Sequence, residues 1–304
     1  MITVLSGGVG AARLLRALRR HDPVVALTAV VNVGDDLTLH GLNICPDLDT
    51  IMYTLAGAND DERGWGLAGE SWRVMERLGE LGGEDWFSLG DLDLATHLYR
   101  TQRLAQGATK TEVTAELAAH FGLDVTLLPV SDDVIATEFE TEQGEMSFQE
   151  YFVRRHHDVR VNAVRVRGAD EARLSDAARR SLVEAERIVI APSNPLISID
   201  PILRVPGVRE ILAERHDDVV AISPLVGGVA LKGPADRLMR ELGGRADALG
   251  VAEHYRGLVG QMIIDVVDAP LADAIAATGC RVRVTTTVMA DSAHARALAE
   301  AVRA

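Results

Sequence analysis

Lysine is nearly absent. Lys110 and Lys232 are the only two in 304 residues, and arginine carries the rest of the positive charge. No Gly-Lys-Ser/Thr of a P-loop is therefore present, and a chain poor in lysine but rich in arginine and alanine matches the usage of a GC-rich bacterial genome. Cysteine is as scarce: Cys45 and Cys280 lie far apart, form no metal-ligand spacing and read as buried free thiols of a cytoplasmic protein. No run approaches the roughly 18 apolar residues of a membrane span, and no basic leader precedes the first strand, so neither a membrane anchor nor a signal peptide is expected. Positive charge is also short overall. A net charge of −14 argues against nucleic acid or an anionic membrane as a partner. If such a chain handles an anion, it needs local help from a divalent cation, backbone N–H groups and a few arginines.

Hydrophobic residues, at 47%, are enough for a large core. Met1 to Ser6 reads as a strand, Gly7-Gly8-Val9-Gly10 as a tight turn, and Ala11 to Leu18 as an amphipathic helix. This places bare N–H groups and a helix N-terminus beside whatever binds there. The glycines are not the G-x-G-x-x-G fingerprint, and a ligand-free strand–helix junction uses the same residues. Val24 to Val31 predicts a second strand, ending in Asn32-Val-Gly-Asp-Asp36. Thr109-x-x-Glu112 is a capping box opening a helix to His120, and Leu123 to Pro129 reads as a strand. Period-two patterning over Val134–Glu140, Glu145–Phe148 and Val159–Val166 predicts a hairpin and a further strand. The α/β rhythm returns from Ser175. The expected fold is α/β: a single domain over 1–304, with a Rossmann-like, mainly parallel sheet covered on both faces. Its core is expected at about 1–50 and 175–304, with a helical and β-hairpin insertion at 51–174.

Four stretches carry chemistry. Asp35 and Asp36 form a carboxylate pair at a strand end. Asp47 and Asp49 follow Pro46, where an extended or turning backbone does not oblige them to share a face; Asp49 also suits the cap of a helix beginning at Thr50. Together these residues offer oxygen ligands to Mg²⁺, or a base near an attacking hydroxyl. From these carboxylates Asp36 and Asp49 are assigned the catalytic and metal roles. Gly90-Asp91 begins a helix that carries His97, a contact for an acceptor or phosphate, or a buried helix histidine. Pro192-Ser-Asn-Pro195 and Ser223-Pro-Leu-Val-Gly-Gly228 place small polar groups at strand carboxyl ends, where open α/β sheets bind ligands, although proline and glycine also suit plain turns.

These residues together resemble the 2-phospho-L-lactate transferase family, whose bacterial branch is described as phosphoenolpyruvate transferase. The resemblance rests on Ser6-Gly-Gly-Val-Gly10, Val31-Asn-Val-Gly-Asp-Asp36, Cys45-Pro-Asp-Leu-Asp-Thr50, Leu89-Gly-Asp91 with Asp93 to His97, Leu128 with Ser131-Asp-Asp133, Phe148-Gln149, Ala191-Pro-Ser-Asn-Pro195 and Ile222-Ser-Pro224, in family order. It implies a homodimeric, Mg²⁺-dependent transferase of coenzyme F-420 synthesis. The acceptor would be the deazaflavin Fo, and the donor a guanosine diphosphate ester of enolpyruvate or lactate. A ribityl hydroxyl of Fo would attack the phosphorus that carries the organic acid, and GMP would leave. The bacterial composition favours the enolpyruvyl donor, giving dehydro coenzyme F-420-0. Carried onto this chain, the resemblance puts Fo at Asp49, and Asp91 and His97 are the further candidates for the acceptor. It puts the nucleotide at the glycine turn, Gly7, Gly8 and Gly10, and at Ser193, Asn194 and Pro195; Asn32 and Ser223 are further nucleotide candidates. One position departs: the family reads Leu-Gly-Asp-Arg-Asp, and Leu92 stands in place of that arginine. Arg100 or Arg103 is expected to supply the missing charge; the alternative reading is a chain that binds Fo and nucleotide without turnover.

Overall fold

The computed structural model describes all residues 1–304. β1 (Ile2–Ser6) is wholly buried and passes through the glycine turn into α1 (Val9–His21). β2 (Leu27–Val31) follows, then a small hairpin of β3 (Leu37–Leu39) and β4 (Leu42–Ile44). Four helices come next: α2 (Pro46–Ala56), α3 (Arg73–Glu80), α4 (Asp91–Ala105) and α5 (Lys110–His120). Proline at the first position of α2 loses no intrahelical bond there. The capping box at Thr109 and Glu112 forms as the sequence predicts.

β5 (Thr126–Pro129) precedes an antiparallel sheet of β6 (Ala136–Thr141), β7 (Gly144–Ser147) and β8 (Val161–Arg167), in the order β7-β6-β8. β9 (Arg187–Ile190) and β10 (Val219–Ile222) return to the core. A two-residue pair, β11 (Leu225–Val226) and β12 (Val229–Ala230), leads to β13 (Gln261–Ile264) and β14 (Arg281–Val284), before the C-terminal helix Ser292–Arg303.

The main sheet has seven parallel strands in the order β14-β13-β10-β9-β1-β2-β5. Its near-continuous Val, Ile, Leu and Ala runs are those of strands buried on both faces, and they anchor a core cluster of 65 residues. A smaller cluster around Phe139, Tyr151 and Leu238 lies at the antiparallel sheet. One boundary differs from expectation. β5 falls inside the stretch 51–174 assigned to the insertion, yet it pairs with β2 as an edge strand of the main sheet. Which sheet a four-residue strand joins depends on a partner nearly a hundred residues away.

The chain runs from β1 to β2 and β5 on one side, then crosses to β9 on the other. The loops after β1 and β9 therefore diverge at a topological switch point, which opens a crevice at the strand carboxyl ends.

Candidate active site

A cleft of about 510 Å³ occupies that crevice. Gly8 and Gly10 line it from the first turn, and Ser193, Asn194 and Ser223 from the loops after β9 and β10. The glycines are needed for close approach, since none of the three has a positive φ. A Cβ on Gly10 would overlap the Pro192 carbonyl oxygen, one on Gly7 would overlap the Ser198 side chain, and one on Gly8 would lie 2.8 Å from Asp47 Oδ1. The turn is thus pressed against the Pro192-Ser193-Asn194 loop and α2 with no room for a side chain of its own.

Two polar atoms in this loop have no partner. Ser193 Oγ and Asn194 Nδ2 are buried and make no hydrogen bond, although both residues line the cleft. A buried polar atom without a partner is costly, so two such groups lining one cleft are suited to bind a ligand there. Asn194 Oδ1 is already used, accepting from the Leu196 N–H at 3.0 Å as Pro195 begins the next turn. The Ser223 hydroxyl donates to the Leu225 carbonyl at 2.8 Å and so shapes its own loop.

The carboxylates of the cleft are Asp35 and Asp47. Asn32, fully buried, holds this corner: its Nδ2 donates to Asp47 Oδ2 at 2.9 Å, and its Oδ1 accepts from the Gly34 N–H at 2.8 Å. Gln149 Nε2 donates to the Asp35 backbone carbonyl at 3.0 Å. Burial pushes the Asp47 carboxyl up to about 7, against the Asn32 hydrogen bond. Burial, with the Asp47 charge beside it, also holds Asp35 well above the ordinary carboxylate range. Asp35 Oδ1 has no hydrogen-bond partner. Neither carboxylate has a Lys or Arg ion pair, so the pair is an all-oxygen site that favours a proton or a hard cation.

A second cluster packs behind α2. Arg100, fully buried, donates to Asp49 Oδ1 and, at 3.2 Å, to the Asn43 carbonyl. Its Nη1 also lies 3.1 Å from His97 Nδ1. The other ring nitrogen, Nε2, lies 3.4 Å from Asp93 Oδ1. The Tyr53 hydroxyl donates to the same carboxylate oxygen at 2.6 Å. Burial raises Asp49 from its ordinary value, opposed by Arg100 and His97. Asp49, Asp93 and His97 offer ligand atoms within 4.8 Å of one another, a geometry compatible with a metal ion.

The 2-phospho-L-lactate transferase CofD family matches residues 2–303. The chain belongs to this family. It is 42% identical to the phosphoenolpyruvate transferase of Streptomyces griseus, covering 100% of this chain and 99% of that one. It is 39% identical to the 2-phospho-L-lactate transferase of Methanosarcina acetivorans, covering 98% and 96%. Among solved structures, a UPF0052-family protein of Bacillus halodurans shares the fold at a TM-score of 0.65, with 17% identity over 100% of this chain and 98% of that one.

On this CofD-family fold the acidic pairs divide differently from the sequence assignment. Asp36 does not line the cleft; it pairs with Lys110 Nζ at 2.6 Å. Asp49 points into the Arg100 cluster. The reason is that Pro46–Ala56 is helical from its first residue. Residues two apart on a helix are separated by about 200° around the axis, so Asp47 faces the cleft and Asp49 the interior. Asp91 is bound to local structure: it accepts from Ser71 Oγ at 2.5 Å and from the Val74 N–H at 3.2 Å. His97 is enclosed by Arg100 and Asp93 and does not line the cleft.

Leu92 is 50% exposed at the start of α4, with its N–H held by Glu70 at 2.7 Å. Neither proposed substitute for the family arginine lines the cleft: Arg100 is held by Asp49, and Arg103 is paired to Glu116 at 2.7 Å. The cations on the cleft are Arg13 and Lys232. The sequence reading missed both. A signal existed for each: Arg13 lies one turn into the helix after the glycines, and Lys232 is one of only two lysines. No helix is long and apolar enough to cross a membrane.

Proposed function

We propose that this chain moves the enolpyruvyl-phosphate group of a guanosine diphosphate ester to the terminal ribityl hydroxyl of Fo, releasing GMP. The carrying observation is a CofD-family match over residues 2–303 whose cleft presents unpartnered Ser193 Oγ and Asn194 Nδ2 beside the glycine turn. The turn N–H groups and the N-terminus of α1 favour the donor's diphosphate. Arg13 and Lys232 offset its charge in a chain of net charge −14. Ser193 and Asn194 hold the guanosine or a phosphate oxygen. Phe148 and Phe152, stacked at 5.4 Å, give the cleft an apolar wall on which a planar ring can lie.

Mg²⁺ belongs to this proposal. Asp35 and Asp47 would hold it, since they are oxygen donors on the cleft and one Asp35 oxygen is unpartnered. The Asp49, Asp93 and His97 cluster fits a hard cation less well, because Arg100 already neutralises Asp49 and one ligand is an imidazole. When bound, the ion supplies charge neutralisation on the transferring phosphoryl group. Asn32 orients Asp47. Asp49, His97 and Arg100 are positioning residues: they fix the first turn of α2, and hence the direction of Asp47. The hydroxyl of Fo forms the new P–O bond, and the bond to the GMP oxygen breaks. A homodimer is part of the same proposal, tested by the mass in solution.

Incubating the protein with Fo, Mg²⁺ and each donor in turn tests the reading. GMP release is expected to be faster with the enolpyruvyl donor. Faster release with the lactyl donor would reverse the donor assignment, and no release with either would sink the transferase reading. Asn194→Ala removes one donor group, worth about 1 kcal/mol or roughly fivefold. It is expected to raise the donor KM by that factor and leave the Fo KM unchanged; equal changes in both would place Asn194 outside the donor site.

A further inference from the structure

A groove of about 710 Å³ runs between α1 and the C-terminal helix, and four arginines line it: Arg13, Arg16, Arg20 and Arg296. Positions 13, 16 and 20 lie on one face of α1, so their like charges stand one turn apart. None of these three makes an ion pair or a side-chain hydrogen bond. Other exposed arginines, such as Arg165 and Arg167, pair with Glu140 and Glu138, and others stand unpaired singly; here three unpaired ones share one helix face. The chain has 45 acidic residues against 31 basic ones, so the unpaired row is not for want of carboxylates. Arg296 is paired to Glu300. Asp291, the carboxylate in the groove, is bound to the N–H groups of Ala293 and His294 and to the His294 ring. Asp61 approaches Arg16 from a neighbouring loop without pairing.

The groove is continuous with the cleft, because Arg13, Met289 and Ala290 line both. Guanidinium groups present paired N–H donors that match phosphate oxygens. We propose that this groove is a second anion site, which takes a chain of two or three phosphates. The ligand is either a free oligophosphate or the tail of a nucleoside triphosphate whose base lies in the cleft. Only the second source rests on the nucleotide reading of the cleft. With Arg13 shared, a bound oligophosphate also competes with the donor.

Titration calorimetry with inorganic tripolyphosphate, GDP and GTP, on the wild type and on the double variant Arg16→Gln/Arg20→Gln, tests this. The variant is expected to bind tripolyphosphate at least tenfold more weakly and GDP within twofold, with an unchanged melting temperature. A parallel loss for GTP identifies the triphosphate tail, and a loss confined to tripolyphosphate identifies the free oligophosphate. If the double variant melts early, Arg20→Gln alone replaces it, with a smaller loss expected. Equal tripolyphosphate affinity in a folded variant overturns the proposal. So does absence of binding to the wild type, and a change of oligomeric mass in the variant would then assign the arginines to a protein contact. Failure of GDP to bind the wild type would refute the cleft reading, and the tripolyphosphate arm would still decide the groove.

Discussion

Asp47→Asn is expected to lower turnover by about a hundredfold or more, which is ~2.7 kcal/mol of transition-state stabilisation, and to raise the melting temperature of the metal-free protein at neutral pH. Both effects have one origin. Asp47 lines the cleft beside Asp35, without an ion pair, and burial pushes its carboxyl up to about 7. A carboxyl whose folded value is raised contributes stability that is fully present below its unfolded value of about 4. That stability is lost as the pH rises through about 7. The metal-free wild type is therefore expected to melt lower at pH 8 than at pH 5, and Asp47→Asn to flatten the difference. Excess Mg²⁺ is expected to restore wild-type stability at pH 8 and not to affect the variant. Wild-type turnover and Mg²⁺ dependence in Asp47→Asn would remove it from the metal site.

Gly10→Ala is expected to disable donor binding through geometry alone. Its Cβ would collide with the Pro192 carbonyl oxygen, a backbone atom that cannot rotate away. Relief requires the N-terminus of α1 to part from the loop that carries Ser193 and Asn194. Overpacking of this kind costs about 1–3 kcal/mol. The same displacement separates the turn N–H groups from the Ser193 and Asn194 side chains. The donor KM is expected to rise more than tenfold with a smaller change for Fo, alongside a lower melting temperature. Wild-type values for both would mean that the turn and the loop tolerate separation and do not share a ligand.

The first twenty residues by themselves determined a strand, a turn and a helix start, because a buried strand, three glycines and an apolar stripe of helical period admit little else. The capping box at Thr109 and the hairpin near Gly144 were equally legible, since each is built from neighbours in the chain. The loops after β9 and β10 were recognisable as cleft loops for the same reason, and the structure places Ser193, Asn194 and Ser223 there.

Tertiary structure decided what depends on direction and on distant partners. Asp35 and Asp36 are adjacent, yet one lines the cleft while Lys110, seventy-four residues away, takes the other. Asp47 and Asp49 were divided by the early start of α2, which turned one carboxylate to the cleft and the other onto Arg100. β5 joined the main sheet because β2 offered it an edge. Arg13 and Lys232, more than two hundred residues apart, are the cations that line the cleft, and neither Arg100 nor Arg103 does. A sequence states which groups exist and how far apart they stand along the chain. Which face each one turns, and which opposite charge reaches it first, is fixed only when the helices and strands pack.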